Sequence, residues 1–496
     1  MTPLQYTPEE PISSIATALA PAALGIVRTS GKGCIELISK AFSRPKALLE
    51  AAGNTLVYGW IVDDGAKVDE VMLAVYRAPK SFTGEDMVEI FCHGGPAVVT
   101  AIQNLMLKIG FRQANRGEYT FRAYINGKTD LTKAEAIKEI IDSHTDVSRS
   151  HAAGRLSGSL FAEIDSIKKL IIDTLASIEV EIEYPEDEET IADTFDRKDI
   201  ELAISRLQGL VDSWKGEKLY QDGARVVLAG RTNAGKSSLF NAILKEERAI
   251  VSDIEGTTRD WLESWASING IPVRLFDTAG LRETEDVVEA QGVQISRNLV
   301  QDADVVLYLV DGREGLNDED REFIEKCTEP LIVVYTKADL EHGILRAEPL
   351  GEGVVEAANN ESKPATSTTA SKSFSSKNSE PMFAAGTQGK AFPSLSISSK
   401  TGAGISELYA KISEILLEGT STERQQAGLG SARQKEAVAE ALECVKHALV
   451  SADDNYTLDA VVQDLEDALD YLGEVTGDVT PDDVLGSIFA NFCVGK

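Results

Sequence analysis

The sequence predicts a multidomain chain of the α/β plus α class, in which a helical bundle domain follows one α/β domain and is interrupted by another. Short apolar runs typical of strands occur in residues 1–126 and 223–417, as expected of domains that pack helices on a sheet. Residues 127–222 and 418–496 instead repeat apolar side chains every three or four positions, which is typical of amphipathic helices.

In the first domain, residues 1–126, four apolar runs predict strands and one amphipathic segment predicts a helix. The strands are expected at Ile12–Ile15, Leu24–Val27, Val71–Tyr76 and Met87–Phe91, and the helix at Pro96–Leu107. Cys92 and His93 are adjacent, and neighbours on a strand point to opposite faces, so a shared metal site is not expected here.

The two helical segments each carry one apolar stripe that needs a partner to bury it. The stripes are Leu160, Ile164, Ile167, Ile171, Leu175 and Ile178, and Leu458, Val461, Val462, Leu465, Leu469 and Leu472. We therefore expect the two segments to form one bundle, with residues 223–417 inserted between them.

Two stretches depart from these patterns. The acidic stretch Glu179–Glu189 is predicted to be a solvated loop. Ten of the twenty residues from Glu361 to Glu380 are Ser or Thr, so residues 346–392 are predicted to be a disordered surface insertion.

Composition limits the partners and the compartment. The net charge of −31 opposes a general nucleic-acid coat, so a nucleic-acid partner needs a local basic patch or a second subunit. The sequence has no run of 18 apolar residues and no signal-peptide pattern, so no membrane span is expected. The five cysteines lack a C-x-x-C pair, which predicts neither zinc nor disulfides and a reducing, cytoplasmic location.

The pattern G-x-x-x-x-G-K-S begins at Gly230, between a strand-like run, Val226–Ala229, and a predicted helix from Ser238. This order of strand, glycine-rich loop and helix predicts a phosphate-binding loop. Its backbone N–H groups would face an anion, Lys236 would reach the β- and γ-phosphates, and the Ser237 hydroxyl would bind Mg²⁺.

Two further strand ends carry residues that a guanine-nucleotide site needs. Asp277 opens the D-T-A-G segment 277–280, which suits a carboxylate near Mg²⁺ and an N–H facing the γ-phosphate. In the T-K-A-D segment 336–339, the Asp339 carboxylate can accept from both N1–H and the exocyclic amine of guanine. The three motifs in this order predict a Ras-like P-loop GTPase domain at residues 223–417.

Motifs outside this domain resemble those of one family. They are S-F-T-G-E-D at 81–86, H-G-G-P at 93–96, R-G-E-Y-T at 116–120, K-A-E-A-I at 133–137 and the terminal F-C-V-G-K at 492–496. With the GTPase motifs they resemble the MnmE (TrmE) family of tRNA modification GTPases over nearly the whole chain.

The resemblance implies a cytoplasmic homodimer that acts on tRNA together with the flavoprotein MnmG, as a heterotetramer. The reaction it implies adds a carboxymethylaminomethyl (aminomethyl-type) group at C5 of the tRNA wobble uridine. FAD would enter only through that partner.

The resemblance also implies that the N-terminal domain dimerises and binds 5-formyl-tetrahydrofolate or a related folate through Arg28, Glu89, Lys128 and Lys496. The charges suit that ligand, with cations for its glutamyl carboxylates and Glu89 for the pterin N–H donors. Cys493 is implied as a catalytic residue, with nucleophile, metal ligand and buried thiol all open. The loop at 19–24 departs from the Gly/Arg-rich family pattern.

For the GTPase domain, the resemblance implies a nucleotide site with two metal ions. The GTP-binding residues are Asn233, Ala234, Gly235, Lys236, Ser237, Ser238, Ser252, Asp253, Ile254, Glu255, Gly256, Thr257, Thr258, Asp277, Thr278, Ala279, Gly280, Thr336, Lys337, Ala338, Asp339, Ser398, Ser399 and Lys400. The Mg²⁺ ligands would be Ser237 and Thr258, and the K⁺ ligands Asn233, Ser252, Ile254 and Thr257.

Two positions in this domain differ from other GTPases. Leu281 stands where Ras-like enzymes have a water-orienting Gln, so the resemblance assigns that task to Glu289 and makes hydrolysis K⁺-dependent. Thr336 stands where the guanine motif normally begins with Asn.

Two other functions remain open. A ribosome-assembly GTPase of the Era or Der kind shares the nucleotide loop and the Leu after D-x-x-G, but this sequence has no basic RNA-binding appendage and ends in C-x-G-K. A folate-binding module with a purely regulatory GTPase would not transfer a one-carbon unit to tRNA.

Overall fold

The computed structural model describes residues 10–183, 197–246, 263–277, 299–340, 383–385, 391–418, 427–453 and 458–496. The chain divides into two units, one made of residues 1–142, 150–214 and 424–496 and the other of residues 143–149 and 215–423. None of the described helices is long and apolar enough to cross a membrane.

The first unit begins with a six-stranded sheet. Its strands are β1 (Ile12–Ile15), β2 (Ala22–Ser30), β3 (Thr55–Asp63), β4 (Ala66–Tyr76), β5 (Met87–Gly94) and β6 (Arg112–Gln113), in the order β3-β4-β5-β2-β1-β6. Neighbouring strands are antiparallel, except that β1 and β6 are parallel. The sequence pattern does not predict β3, because Gly59 interrupts its apolar run. A Cβ at Gly59 would lie 2.5 Å from the Phe42 ring, so the strand needs glycine there.

Three helices help to bury one face of this sheet. They are α1 (Cys34–Ser39), α2 (Pro45–Leu49) and α3 (Pro96–Lys108). Ile102 of α3 and Ile90 of β5 belong to the same buried core. Alternate residues on β3 and β4 point the other way, and Leu56, Tyr58 and Met72 are 64%, 54% and 44% exposed. Within the described residues, this face is open and partly apolar.

The chain then becomes helical. The helices are α4 (Glu118–Ile125), α5 (Leu131–Asp142), α6 (Asp146–Leu156), α7 (Ser159–Glu183) and α8 (Arg197–Asp222). Helix α7 extends to Glu183, so the prediction of a loop from Glu179 is wrong for its first five residues. The apolar stripe continues to Ile178 and keeps that end of the helix packed.

The second unit contains a seven-stranded sheet. In chain order its elements are β7 (Ala224–Gly230), α9 (Lys236–Glu246), β8 (Glu263–Ile268), β9 (Ile271–Asp277), β10 (Val305–Asp311), α10 (Asp318–Lys326), β11 (Leu331–Thr336), β12 (Phe383–Ala385), β13 (Ala391–Ser396) and α11 (Ile405–Leu417). The strand order is β12-β13-β11-β10-β7-β9-β8, and only the two edge strands are antiparallel to their neighbours. The carboxyl ends of the five parallel strands therefore meet at one edge.

The edge strands correct one sequence prediction. Residues 383–385 and 391–392 were assigned to a disordered insertion, yet they belong to β12 and β13. Backbone pairing along β13 explains the difference, since a strand at a sheet edge does not need an alternating apolar pattern. The rest of the predicted insertion, residues 346–382 and 386–390, lies outside the described residues.

The chain ends with three helices in the first unit. They are α12 (Ala432–Asp453), α13 (Leu458–Thr476) and α14 (Asp482–Ala490). Leu160 and Ile167 of α7 share one buried core with Val438 of α12 and Leu465 of α13, so the two apolar stripes bury each other. Pro481 is the N-cap of α14, and no side chain caps that helix.

Two adjacent isoleucines on α7 test the packing of this core. Ile171 is fully buried and Ile172 is 47% exposed. We expect Ile171→Ala to lower the free energy of unfolding by about 2–5 kcal/mol, through lost burial and the cavity left behind. The matched change Ile172→Ala should stay within about 0.5 kcal/mol. Urea unfolding followed by circular dichroism at 222 nm measures both; equal effects would contradict the packing.

Candidate functional sites

The nucleotide loop is the turn between β7 and α9. Gly230 and Gly235 have φ of 132° and 95°, and Asn233 is also left-handed with φ of 64°. A Cβ at Gly230 would lie 2.3 Å from the carbonyl oxygen of Leu309 on β10. The first glycine of the motif is therefore needed both for its conformation and for close packing against the neighbouring strand.

Two polar side chains at the start of α9 are already held in place. The Lys236 ammonium donates to the carbonyl oxygens of Gly230 and Arg231, each at 2.8 Å, and the residue is 7% exposed. The Ser237 hydroxyl donates to Oδ2 of Asp277 at 3.0 Å. This pair of a hydroxyl and a carboxylate presents the oxygen ligands that Mg²⁺ prefers.

The end of β11 contacts the nucleotide loop directly. The buried Thr336 hydroxyl lies 2.8 Å from the Ala234 carbonyl oxygen and 3.2 Å from that of Val310. The Lys337 ammonium donates to the Asn233 carbonyl oxygen at 3.0 Å. Threonine thus makes a hydrogen bond to the loop at the position where the guanine motif normally has Asn. The T-K-A-D segment and the nucleotide loop are therefore held together by hydrogen bonds.

Asp339 is positioned by the segment after β13. Its Oδ1 accepts from the Ser398 hydroxyl at 2.8 Å, and the Ala338 N–H donates to the Ile397 carbonyl oxygen at 3.1 Å. The hydrogen bond from Ser398 is the main cause of a lowered Asp339 pKa. Asp339 is therefore ionised at neutral pH and is ready to accept from two N–H donors. Ser399 and Lys400 follow in the same turn.

Asp311, at the end of β10, was missed by the sequence analysis. Its carboxylate is bound by Arg313 at 2.6 Å and by the Lys337 ammonium at 2.7 Å. The hydrogen bonds from Arg313, followed by that from Lys337, hold the pKa of Asp311 well below its usual range. The only sign of Asp311 in the sequence is the V-D-G segment at 310–312, which places an acidic residue directly after an apolar run.

A second cluster lies in the first unit, where β2 and β5 meet the end of the chain. Arg28 and Glu89 face each other across the two strands and form an ion pair at 2.7 Å. The same guanidinium donates to the Gly495 carbonyl oxygen at 3.0 Å. The Lys496 pKa is lowered by burial and by the nearby Arg28 charge. The structure thus brings Arg28, Glu89 and Lys496 together.

Aromatic side chains surround this cluster. The guanidinium of Arg28 lies 5.6 Å from the centre of the Phe82 ring and 5.5 Å from that of Tyr119. The Tyr119 hydroxyl donates to the Arg28 carbonyl oxygen at 2.8 Å. Lys128, the fourth predicted residue, donates instead to the carbonyl oxygen of Pro79 at 2.9 Å, in the loop that leads to Phe82.

The R-G-E segment at 116–118 holds the chain end against the sheet. Arg116 Nε donates to the Phe492 carbonyl oxygen at 3.0 Å, and the Gly117 N–H donates to that of Cys493 at 3.4 Å. Gly495 has φ of 95°, and a Cβ there would lie 2.8 Å from the Ile15 carbonyl oxygen. Cys493 itself is exposed, which excludes the buried thiol among its three alternatives and leaves nucleophile and metal ligand. It lies near enough to Lys496 to influence the pKa of that ammonium.

Several predicted nucleotide-site residues lie outside the described residues. They are Ser252, Asp253, Ile254, Glu255, Gly256, Thr257, Thr258, Thr278, Ala279, Gly280, Leu281 and Glu289. The loop at 19–24, which departs from the family pattern, is described, and its Leu19 and Leu24 are both 58% exposed.

Two family models match the chain. The model described as the MnmE helical domain matches residues 131–493, and the model described as the GTP-binding protein TrmE N-terminus matches residues 11–128. A protein of Treponema denticola called tRNA modification GTPase MnmE is 49% identical over 99% of each chain. Proteins of that name from Treponema pallidum and Borrelia turicatae are 44% and 39% identical, over 99% and 98% of each chain.

Among solved structures, the protein is similar to Aquifex aeolicus Era bound to GDP and aluminium fluoride. The identity is 23%, the match covers 45% of this chain and 66% of Era, and the TM-score is 0.26. At this level of similarity, the match does not favour a ribosome-assembly GTPase over a tRNA modification GTPase, or the reverse.

The Asp311 ion pairs predict a pH dependence. A carboxylate whose pKa is lowered by folding stabilises the folded state above its unfolded pKa, about 3.9, and loses that effect as the pH falls towards its folded pKa. We therefore expect Asp311→Asn to be less stable than the parent by a constant amount from pH 8 to about pH 5, with the difference shrinking only below about pH 4. Urea unfolding of both proteins across this range measures it, and a difference that vanished already near pH 6 would contradict the assignment.

Proposed function

The chain belongs to the MnmE (TrmE) family of tRNA modification GTPases, and we propose that it acts with a flavin-dependent partner, MnmG, on the tRNA wobble uridine. The product would carry a carboxymethylaminomethyl (aminomethyl-type) group at C5. The observation that carries this proposal is the contact of Gly495 with Arg28, which is itself paired with Glu89. This contact creates a second polar cluster besides the nucleotide loop.

The cluster around Arg28 is proposed to bind 5-formyl-tetrahydrofolate or a related folate. Arg28 and Lys496 supply cations for its carboxylates, Glu89 accepts from the pterin N–H groups, and Phe82 offers a ring that is 40% exposed. Within the described residues, the buried Ser81 hydroxyl beside Phe82 has no hydrogen-bond partner, which suits a polar ligand. The folate supplies a one-carbon unit when bound.

Cys493 is proposed as the catalytic residue of this cluster. It is exposed, and it lies three residues before Lys496 in the chain end that contacts Arg28, which is paired with Glu89. Lys128, which follows α4, is proposed to contact the ligand beside Phe82, after release of its bond to Pro79.

The nucleotide site is proposed to use Mg²⁺ at Ser237 and Thr258, and K⁺ at Asn233, Ser252, Ile254 and Thr257. Support comes from the Ser237–Asp277 contact and from the left-handed backbone of Asn233 within the nucleotide loop. K⁺ would add positive charge beside the transferred phosphoryl group. Glu289 would align the attacking water.

We propose that the protein is a cytoplasmic homodimer built on the open face of the first sheet. Leu56, Tyr58 and Met72 form an exposed apolar group on the face that also carries Arg28 and Glu89. The G domain, residues 223–417, is proposed to be an insertion between the helical segments 127–222 and 418–496, as the division into units suggests.

Charge distribution supports a separate tRNA-binding partner. The first 142 residues hold 15 Lys and Arg against 16 Asp and Glu, so 30 of the 31 net negative charges lie beyond residue 142. Such a surface repels phosphates, and a basic partner would have to supply most backbone contacts to tRNA. The same charge disfavours a ribosome-assembly GTPase that binds RNA alone.

Removing the chain end tests the proposed site. Phe492 packs in a buried aromatic cluster, so the deletion should begin after it, at Cys493. We expect loss of residues 493–496 to abolish wobble modification and to leave GTP hydrolysis within about twofold, because the nucleotide loop lies in the other unit. Val494→Ser is the control, since this side chain is 44% exposed and only its backbone pairs with Arg116. Full modification by the deleted protein would refute the site.

Salt dependence tests the proposed catalytic ion. We expect hydrolysis in KCl to exceed that in NaCl, and Asn233→Gly to remove this difference while GTP still binds. Glycine is chosen because φ of 64° would strain alanine. Glu289→Ala should lower kcat by about 10²–10⁴-fold even in saturating KCl. Equal parental rates in both salts would contradict the K⁺ mechanism without affecting the GTPase activity.

Asp339→Asn tests the base contact. The amide can donate to the O2 of xanthine, while one of the two bonds to guanine is lost. We expect GTP affinity to fall by about ten- to a hundredfold, since a hydrogen bond to a charged group contributes about 1.5–3 kcal/mol, and xanthosine triphosphate to become a substrate. Competitive binding of the two nucleotides measures this, and an unchanged preference for GTP would remove Asp339 from the site.

A further inference from the structure

Arg231, directly after Gly230, has a side chain to which the proposed mechanism gives no role. It points away from the nucleotide loop and towards the segment that joins β10 to α10. Its guanidinium donates to the Gly315 carbonyl oxygen at 3.0 Å and lies 3.2 Å from Oδ2 of Asp320 and 3.3 Å from Oε2 of Glu314.

Asp320 is the fixed partner in this set. Its side chain is 1% exposed, whereas that of Glu314 is 63% exposed. Besides Arg231, the Asp320 carboxylate accepts from the Tyr308 hydroxyl at 2.8 Å and from the Asn317 N–H at 2.9 Å. Burial, followed by the bond to Asp320, raises the Tyr308 pKa and keeps the hydroxyl protonated as a donor. A buried carboxylate with three donors is a rigid anchor, while an exposed ion pair contributes little.

The backbone of Arg231 connects this anchor to the phosphate-binding lysine. The carbonyl oxygens of Gly230 and Arg231 are the two acceptors of the Lys236 ammonium. Gly230 adopts a backbone conformation open to few other residues, and the loop that follows has two more left-handed residues, Asn233 and Gly235. Thr336 and Lys337 contact the later carbonyls of the loop, those of Ala234 and Asn233, whereas Arg231 ties the start of the loop to the segment after β10.

We propose that Arg231 is a positioning residue for GTP hydrolysis, which acts by fixing the two carbonyls that orient Lys236 to the buried Asp320. Lys236 can then meet the β- and γ-phosphates without first reorganising the loop, which lowers the cost of reaching the transition state. The proposal rests on the GTPase activity alone and is independent of the K⁺ and folate sites.

The test compares Arg231→Gln, Asp320→Asn, the double variant and the control Glu314→Gln, with Mg²⁺ and K⁺ saturating. We expect each of the first two to lower kcat/KM for GTP by about tenfold, as small misplacements of catalytic groups do. The double variant should resemble the single ones, since both break the same contact. Glu314→Gln should stay within about twofold, and Arg231→Lys should recover part of the loss by restoring the charge at Asp320.

Dissociation of a fluorescent GDP analogue separates positioning from a loss of folded protein. Its rate constant does not depend on the folded fraction, and we expect it to rise about tenfold in Arg231→Gln and in Asp320→Asn. If Asp320→Asn does not fold, the comparison of Arg231→Gln with Arg231→Lys still tests the proposal. Unchanged dissociation and kcat/KM in folded Arg231→Gln, or fully additive losses in the double variant, would overturn the proposal.

Discussion

The first unit depends on a hydrophobic core that no single stretch of the chain can complete. Leu160 and Ile167 of α7 lie in one buried core with residues of α8, α12 and α13, such as Leu207, Val438 and Leu465. Burial of these stripes is the main driving force available to the helices, since isolated helices are marginal in water. The chain must therefore return to the first unit after residue 423, and α14 and the chain end follow α12 and α13 in that unit.

The return of the chain to the first unit explains why residues of the first sheet and residues at the chain end form one polar cluster. Phe489 and Phe492 pack with Phe121, 5.3 Å between the ring centres of Phe121 and Phe489, so the chain end is carried to the first sheet by apolar contact. The Arg116 side chain and the Gly117 N–H then donate to the carbonyl oxygens of residues 492 and 493, and Arg28 donates to that of Gly495. Glycine is needed where the chain passes the backbone of Ile15. The polar cluster is thus a consequence of core packing several residues away.

Local patterns predicted the elements whose residues alternate or repeat cleanly, and the motif residues that follow them. Strand β3 was missed because its glycine serves a contact with Phe42, 17 residues away, which no local pattern reports. Asp320 was missed for the same reason, since its partner Arg231 is distant in sequence. Asp311 has one close partner in sequence, Arg313, but its link to the T-K-A-D segment through Lys337 appears only when the strands are assembled. The family resemblance implied Arg28, Glu89 and Lys496 as ligand residues, but the aromatic residues around them become apparent only when the strands are assembled.

The central claim is that the cluster at the chain end serves modification of the tRNA wobble uridine. Mass spectrometry of wobble nucleosides tests it most directly, in tRNA from a strain that lacks the gene and from the same strain carrying the wild-type gene or Arg28→Gln. We expect the aminomethyl-type uridine to disappear on deletion, to return with the wild-type gene, and not to return with Arg28→Gln, which loses the charge paired with Glu89. An unchanged nucleoside profile on deletion, or full restoration by Arg28→Gln, would contradict it.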